Sequence, residues 1–143
     1  ENAKLSQGTY VMPGAENFIR LLRGKNIPFS IGTSSTRSRA VSKLEKSGLA
    51  SFFDVVVTVD DVHAPKPAPH IFLEAASRMK ISPSNCVVIE DSFEGVQAAK
   101  AAGMKVIGFA PQEKDRVSVC DADVIISSYS ELDENFFARW FAA

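Results

Sequence analysis

A short apolar segment that ends in two adjacent carboxylates constrains the fold of this chain most strongly. Residues 86–89 read CVVI, Glu90 and Asp91 follow directly, and a helical pattern then runs from Ser92 to Gly103. A continuous run rich in β-branched residues, bounded by turn residues and followed by a helix, predicts a strand that is buried on both faces. The two acids then lie at the carboxyl end of that strand, where open α/β sheets bind their ligands.

The acid pair has two chemical interpretations. Adjacent carboxylates at a strand end suit Mg²⁺, which binds one or two carboxylates and keeps water and substrate phosphate as its other ligands. The alternative is structural, because Asp91 followed by Glu94 has the spacing of a capping box and Glu90 would then face solvent. This segment by itself leaves both interpretations open.

The rest of the chain alternates between strand-like and helix-like segments, after a polar lead-in at residues 1–12. The predicted strands are 27–31, 52–59, 86–89, 106–109 and 124–126. The predicted helices begin at Pro13, after Ser35, at Lys66–Pro67 and after Asp91, and a short helix over 130–137 closes the chain. Such alternation predicts an α/β fold, a three-layer parallel sheet with helices on both faces.

Composition excludes several classes of protein. The 143 residues suit one domain, and 45% apolar with 23% charged residues is ordinary for a globular protein. A net charge of −1 offers no electrostatic basis for binding nucleic acid or an anionic membrane, and no apolar run approaches a membrane span. Cys86 and Cys120 lie in apolar runs, so we expect two buried free thiols and a reducing, cytoplasmic location.

Hydroxyl groups and a lysine are predicted at the same edge of the sheet as the acids. Thr33 and Ser34 follow the first predicted strand, where backbone N–H groups at a helix start bind phosphate, although such hydroxyls also simply cap helices. Lys66 stands between two prolines, and a lysine on a stiff backbone provides a fixed positive charge. A hydroxyl, a lysine and an acid pair on successive strand ends favour a site for phosphate and Mg²⁺.

These segments together resemble the haloacid dehalogenase superfamily, in particular its β-phosphoglucomutase-like and phosphatase branch. MPGAENFIRLLRGKNIPFSIGTSS is similar to the family's second motif, KPAPHIFLEAA to its third, VVIEDSFEGVQAAKAAGM to its fourth, and ADVIISSYSEL to its closing strand and turn. The resemblance runs from Met12 to about Leu132. One departure is His70, which stands where the family commonly has an acid.

The resemblance implies an Mg²⁺-dependent phosphomonoester phosphatase or phosphoglucomutase-like enzyme that acts through an aspartyl-phosphate on a small phosphorylated metabolite. It assigns Thr33 and Lys66 to catalytic positions, Thr33, Ser34 and Lys66 to phosphate binding, and Glu90 and Asp91 to the metal. Two alternatives stay open, a receiver-type regulatory domain and a catalytically inactive scaffold. The receiver order of acids, phosphoacceptor, hydroxyl and lysine differs from the order in this chain.

The family's first motif, DxDGT, and the cap domain that follows it have no counterpart in residues 1–143. Asp121 and Asp123 have the DxD spacing but precede their strand, and Asp60–Asp61 lacks both the spacing and the glycine turn. We therefore expect an inactive C-terminal part of a longer enzyme. The resemblance implies that the absent strand belongs between the predicted strand at 27–31 and the one at 86–89 that ends in Glu90, so an N-terminal segment or a strand-swapped partner is expected to fill that place.

Overall fold

The computed structural model describes residues 3–4, 10–11 and 14–142, with side chains described for 14–140. The strands in this part of the chain are β1 (Ala3–Lys4), β2 (Tyr10–Val11), β3 (Ile31–Gly32), β4 (Val56–Val57), β5 (Val87–Glu90), β6 (Lys105–Phe109) and β7 (Val124–Ile126). The α-helices are α1 (Ala15–Gly24), α2 (Arg37–Ser47), α3 (His70–Met79), α4 (Phe93–Ala101) and α5 (Glu134–Ala142). None of the helices described is long and apolar enough to cross a membrane.

The strands that carry the predicted site are parallel and are covered by helices on both faces. β3 pairs with β4, and β5, β6 and β7 pair in that order, all in parallel register. Adjacent residues of β6 show the two faces, because Val106 packs in a core with α3 and α4, whereas Ile107 packs with α1 and the aromatic residues of α5. The predicted α/β fold with helices on both faces is confirmed.

The parallel strands form two separate groups, β3–β4 and β5–β6–β7, and no described strand pairs between them. A side chain connects the groups instead. The Nζ atom of Lys66 donates to the Gly32 carbonyl of β3 at 3.2 Å and to Glu90 Oε2 of β5 at 2.8 Å. The Lys66 side chain thus bridges β3 and β5, each of which pairs on one side only among the described strands.

Two predicted strands are shorter than expected. The segment 27–31 forms a strand only at its end, in β3, and 52–59 contains β4 between 3₁₀ turns at Ala50–Phe52 and Val59–Asp61. β3 and β4 consist only of the residues that pair with each other. The strand predicted at 86–89 corresponds to β5, one residue further along, and 124–126 is correct.

Helix starts differ from the prediction because local backbone groups decide them. A helix from Lys66–Pro67 is wrong, since α3 begins at His70. The prolines at 65, 67 and 69 lack N–H groups and disfavour helical backbone in the residues before them, so the helix begins after the last one. The helix predicted over 130–137 is also displaced, because α5 begins at Glu134, after a 3₁₀ turn over Tyr129–Glu131.

Two further predictions concern the amino-terminal segment and the cysteines. Pro13 lies outside the described residues, and α1 follows Gly14, whose φ of 84° is left-handed. The polar lead-in predicted at residues 1–12 contains two short strands, because β1 and β2 pair there as an antiparallel ladder. Both cysteines are free, but Cys120 is exposed and Cys86 is half-buried, so the prediction of two buried thiols is wrong. Cys120 precedes β7 in a turn, which explains its exposure.

Candidate functional site

A buried ion pair between Lys66 and Glu90 lies at the carboxyl end of β5. Their side chains are 9% and 10% exposed, and their charged atoms are 2.8 Å apart. The ammonium group also lies 4.9 Å from the centre of the Phe72 ring and donates to the Gly32 carbonyl. The proline-rich segment before α3 and the end of β5 thus place opposite charges in contact where water is largely excluded.

Both oxygens of Glu90 are held by hydrogen bonds. Oε1 accepts from the N–H groups of Asp91 and Ser92, at 3.0 and 3.2 Å, and from the Ser92 hydroxyl at 3.0 Å, while Oε2 accepts from Lys66. The carboxyl group lies directly against Gly95 of α4, so that a Cβ atom at this position would overlap it. Gly95 is therefore required for the close approach of helix and carboxylate.

Asp91 follows Glu90 but has a different environment. Asp91 is exposed and directly follows β5. The cap of α4 is Ser92, whose hydroxyl accepts from Gly95 N–H at 3.0 Å. The capping-box alternative for Asp91 is therefore wrong, because the residue after it makes the cap. Asp91 is left available at the sheet edge for another ligand.

The ionisation of the two acids follows from these contacts. Burial tends to raise the pKa of Glu90, but the charge of Lys66 and hydrogen bonds from Lys66 and Ser92 outweigh it, so the pKa of Glu90 lies below its ordinary value. Partial desolvation raises the pKa of Asp91, and the neighbouring negative charge of Glu90 raises it further. A free cation beside Asp91 would relieve this repulsion.

The loop after β3 contains the predicted phosphate-binding residues. Thr33 is half-buried and its Oγ1 accepts from Ser35 N–H at 3.1 Å, while Thr36 caps α2 by accepting from Arg39 N–H at 3.4 Å. The first helical N–H, that of Arg37, is already bound by Asp60 at 2.9 Å. Among the described residues Ser34 N–H donates no hydrogen bond to the protein, so this group can donate to a ligand.

The other acid pairs have structural roles. Asp61 caps the turn after β4 through Thr58, and its carboxylate binds Arg37 at 2.6 Å and Arg78 at 3.8 Å. Hydrogen bonds from Thr58 lower the pKa of Asp61 despite partial desolvation, and Arg37 lowers it further. Asp123 accepts from Val106 N–H at 2.8 Å, near the amino end of β6, so the 121–123 pair lies at the opposite edge from the site, as predicted.

A cavity of about 420 Å³ adjoins the acid pair on the face of the sheet that α1 covers. Sequence reasoning missed it, because the lining comes from separate elements. Beside Glu90 and Asp91, the lining residues are Ile89, Phe109, Pro111, Asp115 and Tyr129. Burial, together with the charges of Asp91 and Glu90, raises the pKa of Tyr129, so its phenol is protonated at neutral pH. Tyr129 lies in the segment ADVIISSYSEL, which resembles the family's closing strand and turn, but nothing in that segment marks it as a cavity residue, and no local motif marks Asp115.

The carboxylate oxygens of Asp91 and Glu90 suit a hard cation that takes only a few of its ligands from the protein. Asp91 offers two carboxylate oxygens, and Glu90 Oε2 retains a lone pair beyond its bond from Lys66. Among residues 14–140 no group of three or more histidine, cysteine, aspartate or glutamate side chains is arranged to hold a metal ion. A site of one or two carboxylates suits Mg²⁺, which keeps water and phosphate oxygens as ligands, better than it suits a metal that needs four protein ligands.

Comparison with known proteins identifies the family. The haloacid dehalogenase-like hydrolase family matches residues 2–103. The bifunctional riboflavin kinase/FMN phosphatase of Arabidopsis thaliana is 41% identical over 122 residues, which cover 85% of this chain and 32% of that protein. The fructose-1-phosphate phosphatase of Escherichia coli K12 is 46% identical over 80 residues, which cover 56% of this chain and 43% of that protein.

A solved structure agrees with these relatives. A haloacid dehalogenase family hydrolase from Deinococcus radiodurans R1, solved with bound phosphate and sodium, has a TM-score of 0.79 and 32% identity and covers 92% of this chain and 60% of its own. The chain thus spans about a third to three fifths of the length of these three proteins. With the family match extending over most of its residues, the chain belongs to the haloacid dehalogenase-like hydrolases.

Proposed function

We propose that this chain provides the phosphate- and Mg²⁺-binding part of a phosphomonoester phosphatase or phosphoglucomutase-like phosphotransferase. The observation that carries the proposal is the buried Lys66–Glu90 pair, which lies beside the available carboxylate of Asp91 at the carboxyl ends of parallel strands. Relatives named as phosphatases for FMN and fructose 1-phosphate support a small phosphorylated metabolite as the substrate.

In this proposal the loop after β3 and Lys66 bind the transferred phosphoryl group. The Thr33 hydroxyl can donate to a phosphate oxygen while it accepts from Ser35, and Ser34 N–H supplies a second donor. Lys66 has three N–H donors, of which Glu90 and the Gly32 carbonyl use two. The third donor is available for a phosphate oxygen, so Lys66 joins the phosphate to the carboxylates.

Asp91 is proposed as the direct metal ligand, and Glu90 contributes through Oε2. Bound Mg²⁺ would neutralise charge on the phosphoryl oxygens during transfer. Lys66 and the N–H groups of residues 91 and 92 fix Glu90, which in turn positions the backbone that carries Asp91. The same contacts lower the pKa of Glu90, whereas the pKa of Asp91 is raised by desolvation and by the charge of Glu90, a repulsion that a bound cation would relieve.

The attacking carboxylate is proposed to come from a strand paired between β3 and β5. Parallel pairing directs every second residue of a strand toward each neighbour, and β3 and β5 each pair on one side only among the described strands. A parallel strand in this gap would end beside Lys66 and Asp91. The first aspartate of its DxD motif would attack phosphorus and form an aspartyl-phosphate as the bond from phosphorus to the alcohol oxygen breaks, and the second aspartate would protonate that oxygen. Water would then release phosphate from the first aspartate. Residues 1–143 without such a strand are expected to bind phosphate but to hydrolyse no ester.

Replacing Asp91 with asparagine tests the metal assignment. We expect Mg²⁺ affinity, measured by calorimetry in the presence of inorganic phosphate, to fall on the order of 100-fold or more, because a carboxylate ligand is lost. Without Mg²⁺ the free energy of unfolding should stay the same or rise, since a raised pKa means that the ionised carboxyl of Asp91 opposes folding.

Asp54→Asn is the matched control, because Asp54 is exposed and lies before β4, away from the acid pair. It should bind Mg²⁺ and phosphate like the unmodified chain. Wild-type affinity in the Asp91→Asn chain would contradict the metal assignment, and a large loss of stability in that chain would show a structural role instead.

A further inference from the structure

The ring of Phe72 lies against the ammonium group of Lys66 at the candidate site. The Nζ atom of Lys66 lies over the ring face, 4.9 Å from its centre. The lysine side chain is 9% exposed and Phe72 is 6% exposed, so that water screens their contact little. The attraction between a cation and the face of an aromatic ring grows when both groups are desolvated. Phe72 is therefore a third partner of this ammonium group, beside Glu90 and the Gly32 carbonyl.

Packing fixes the position of the Phe72 ring. Phe72 is the third residue of α3 and belongs to the buried core that also contains Val57 of β4. A Cβ atom added to Gly32 would lie 3.2 Å from Phe72 Cε1, so the ring directly adjoins the strand residue whose carbonyl accepts from Lys66. Close packing leaves a buried ring little freedom to move. The ring is consequently a fixed point against which the more flexible lysine side chain is held.

The ring attracts the charge of Lys66 without taking one of its hydrogen-bond donors. An ammonium group has three N–H donors, and Glu90 Oε2 and the Gly32 carbonyl accept from two of them. A third oxygen acceptor in place of the ring would occupy the last donor and leave none for a phosphate. The quadrupole of an aromatic ring instead attracts the charge as a whole, with no need for a directed N–H bond. An aromatic neighbour thus stabilises a largely desolvated cation and keeps its last donor free.

We propose that Phe72 is a positioning residue for phosphate binding, whose ring holds the Lys66 ammonium group in place with one donor free for a phosphate oxygen. Phe72 acts only through Lys66. Pro67 and Pro69 restrict the backbone between the two residues, so one short segment carries both the cation and the ring that holds it. The inference rests on the proposed function, since the phosphate that Lys66 would bind is the one transferred there.

Replacing Phe72 with mono-, di- and trifluorinated phenylalanine tests this role. Each added fluorine weakens the negative potential of the ring face, while the side chain stays apolar and close to its original size. Binding of inorganic phosphate to the full chain is measured by calorimetry at saturating Mg²⁺. We expect the affinity to fall with each fluorine and by about fivefold in the trifluorinated protein, because phosphate must then order an ammonium group that the ring no longer holds.

Phe52 provides the matched control. Its ring also lies near cations, the guanidinium groups of Arg20 and Arg23 at 5.0 and 5.3 Å, but it precedes β4 and lies away from the carboxyl ends of the strands. The same fluorinated series at Phe52 should leave the phosphate affinity unchanged. Phe72→Leu keeps an apolar side chain without a ring face and should weaken phosphate binding at least as much as the trifluorinated ring does.

Urea unfolding separates the attraction between ring and cation from packing. With Lys66 present, each fluorine at position 72 should lower the urea concentration at the unfolding midpoint. The variant that combines Lys66→Met with Glu90→Gln has no cation, so the same series should produce no such decline there. The same decline in both backgrounds would mean that the ring acts by filling the core, and it would overturn the inference.

The outcomes of phosphate binding separate this inference from the proposed function. If inorganic phosphate does not bind to the unmodified chain with Mg²⁺, the proposed function is wrong, and the positioning role with it. If phosphate binds equally to the whole Phe72 series, or more tightly as fluorine is added, the ring does not position the ammonium group and the inference alone is overturned. A Phe72→Leu protein that loses stability but keeps its phosphate affinity would likewise make Phe72 a residue of the core and nothing more.

Discussion

Lys66→Met should lower the free energy of unfolding by about 3–5 kcal/mol, because removing one partner leaves the other charge of a buried ion pair uncompensated. Lys66 and Glu90 are each about one tenth exposed, so water cannot replace the lost partner. The Gly32 carbonyl also loses its donor. The single tryptophan, Trp140, packs against the core of α1 and β6 and provides the fluorescence signal for urea unfolding.

Lowering the pH should change the Glu90 contribution to the free energy of unfolding in opposite directions in the unmodified protein and in Lys66→Met. The pKa of Glu90 is depressed in the folded protein, so its stabilising contribution is fully present above its ordinary value of 4.5 and is lost as the pH falls through the folded pKa. In Lys66→Met the carboxyl keeps its burial without the cation, its pKa rises, and acidification from pH 7 toward 5 should reduce the stability deficit.

Lys46→Met is the control for the loss of a lysine, since Lys46 is exposed on α2, and it should change stability by less than about 0.5 kcal/mol. The double variant Lys66→Met with Glu90→Gln should recover part of the loss because it removes the unpaired charge. A Lys66→Met protein as stable as the control, or a double variant no better than the single one, would show that the pair is not buried as described.

Gly95→Ala should destabilise the protein by roughly 2–4 kcal/mol and weaken Mg²⁺ binding. A Cβ atom at Gly95 would overlap the Glu90 carboxyl group, so either α4 must move away from β5 or the carboxylate must leave Lys66. The first change overpacks the core and the second separates a buried ion pair, and both are costly. Urea unfolding and calorimetry with Mg²⁺ measure the two effects.

Gly24→Ala is the matched control for this substitution. Gly24 lies at the end of α1, its φ is not in the left-handed region, and a Cβ atom there would meet nothing within 4 Å. Alanine should therefore stabilise the helix by about 0.5–1 kcal/mol through its higher propensity. If both glycine variants behave alike, the effect at Gly95 arises from backbone preference, and the close contact with Glu90 is not the cause.

Local sequence was sufficient to identify the class of fold and the chemical groups of the site. The apolar run before Glu90 predicts a buried strand, and β5 lies there within one residue. Hydroxyl, lysine and acids follow different strands, and parallel strands bring their carboxyl ends to one edge, so that Lys66 and Glu90 are in contact. Periodicity and strand order carry this information because they depend on residues close together in the chain.

Only the tertiary structure decided which of these groups pair with each other inside the protein and which can bind a ligand. Glu90 and Asp91 are adjacent acids of the same kind, yet burial against Gly95 and Lys66 makes the first a held anion, whereas the second reaches the exposed edge. The cavity lined by Asp115 and Tyr129 likewise has no counterpart in local sequence. Burial, hydrogen-bond partners and cavity walls depend on residues distant in the chain, and only packing brings those residues together.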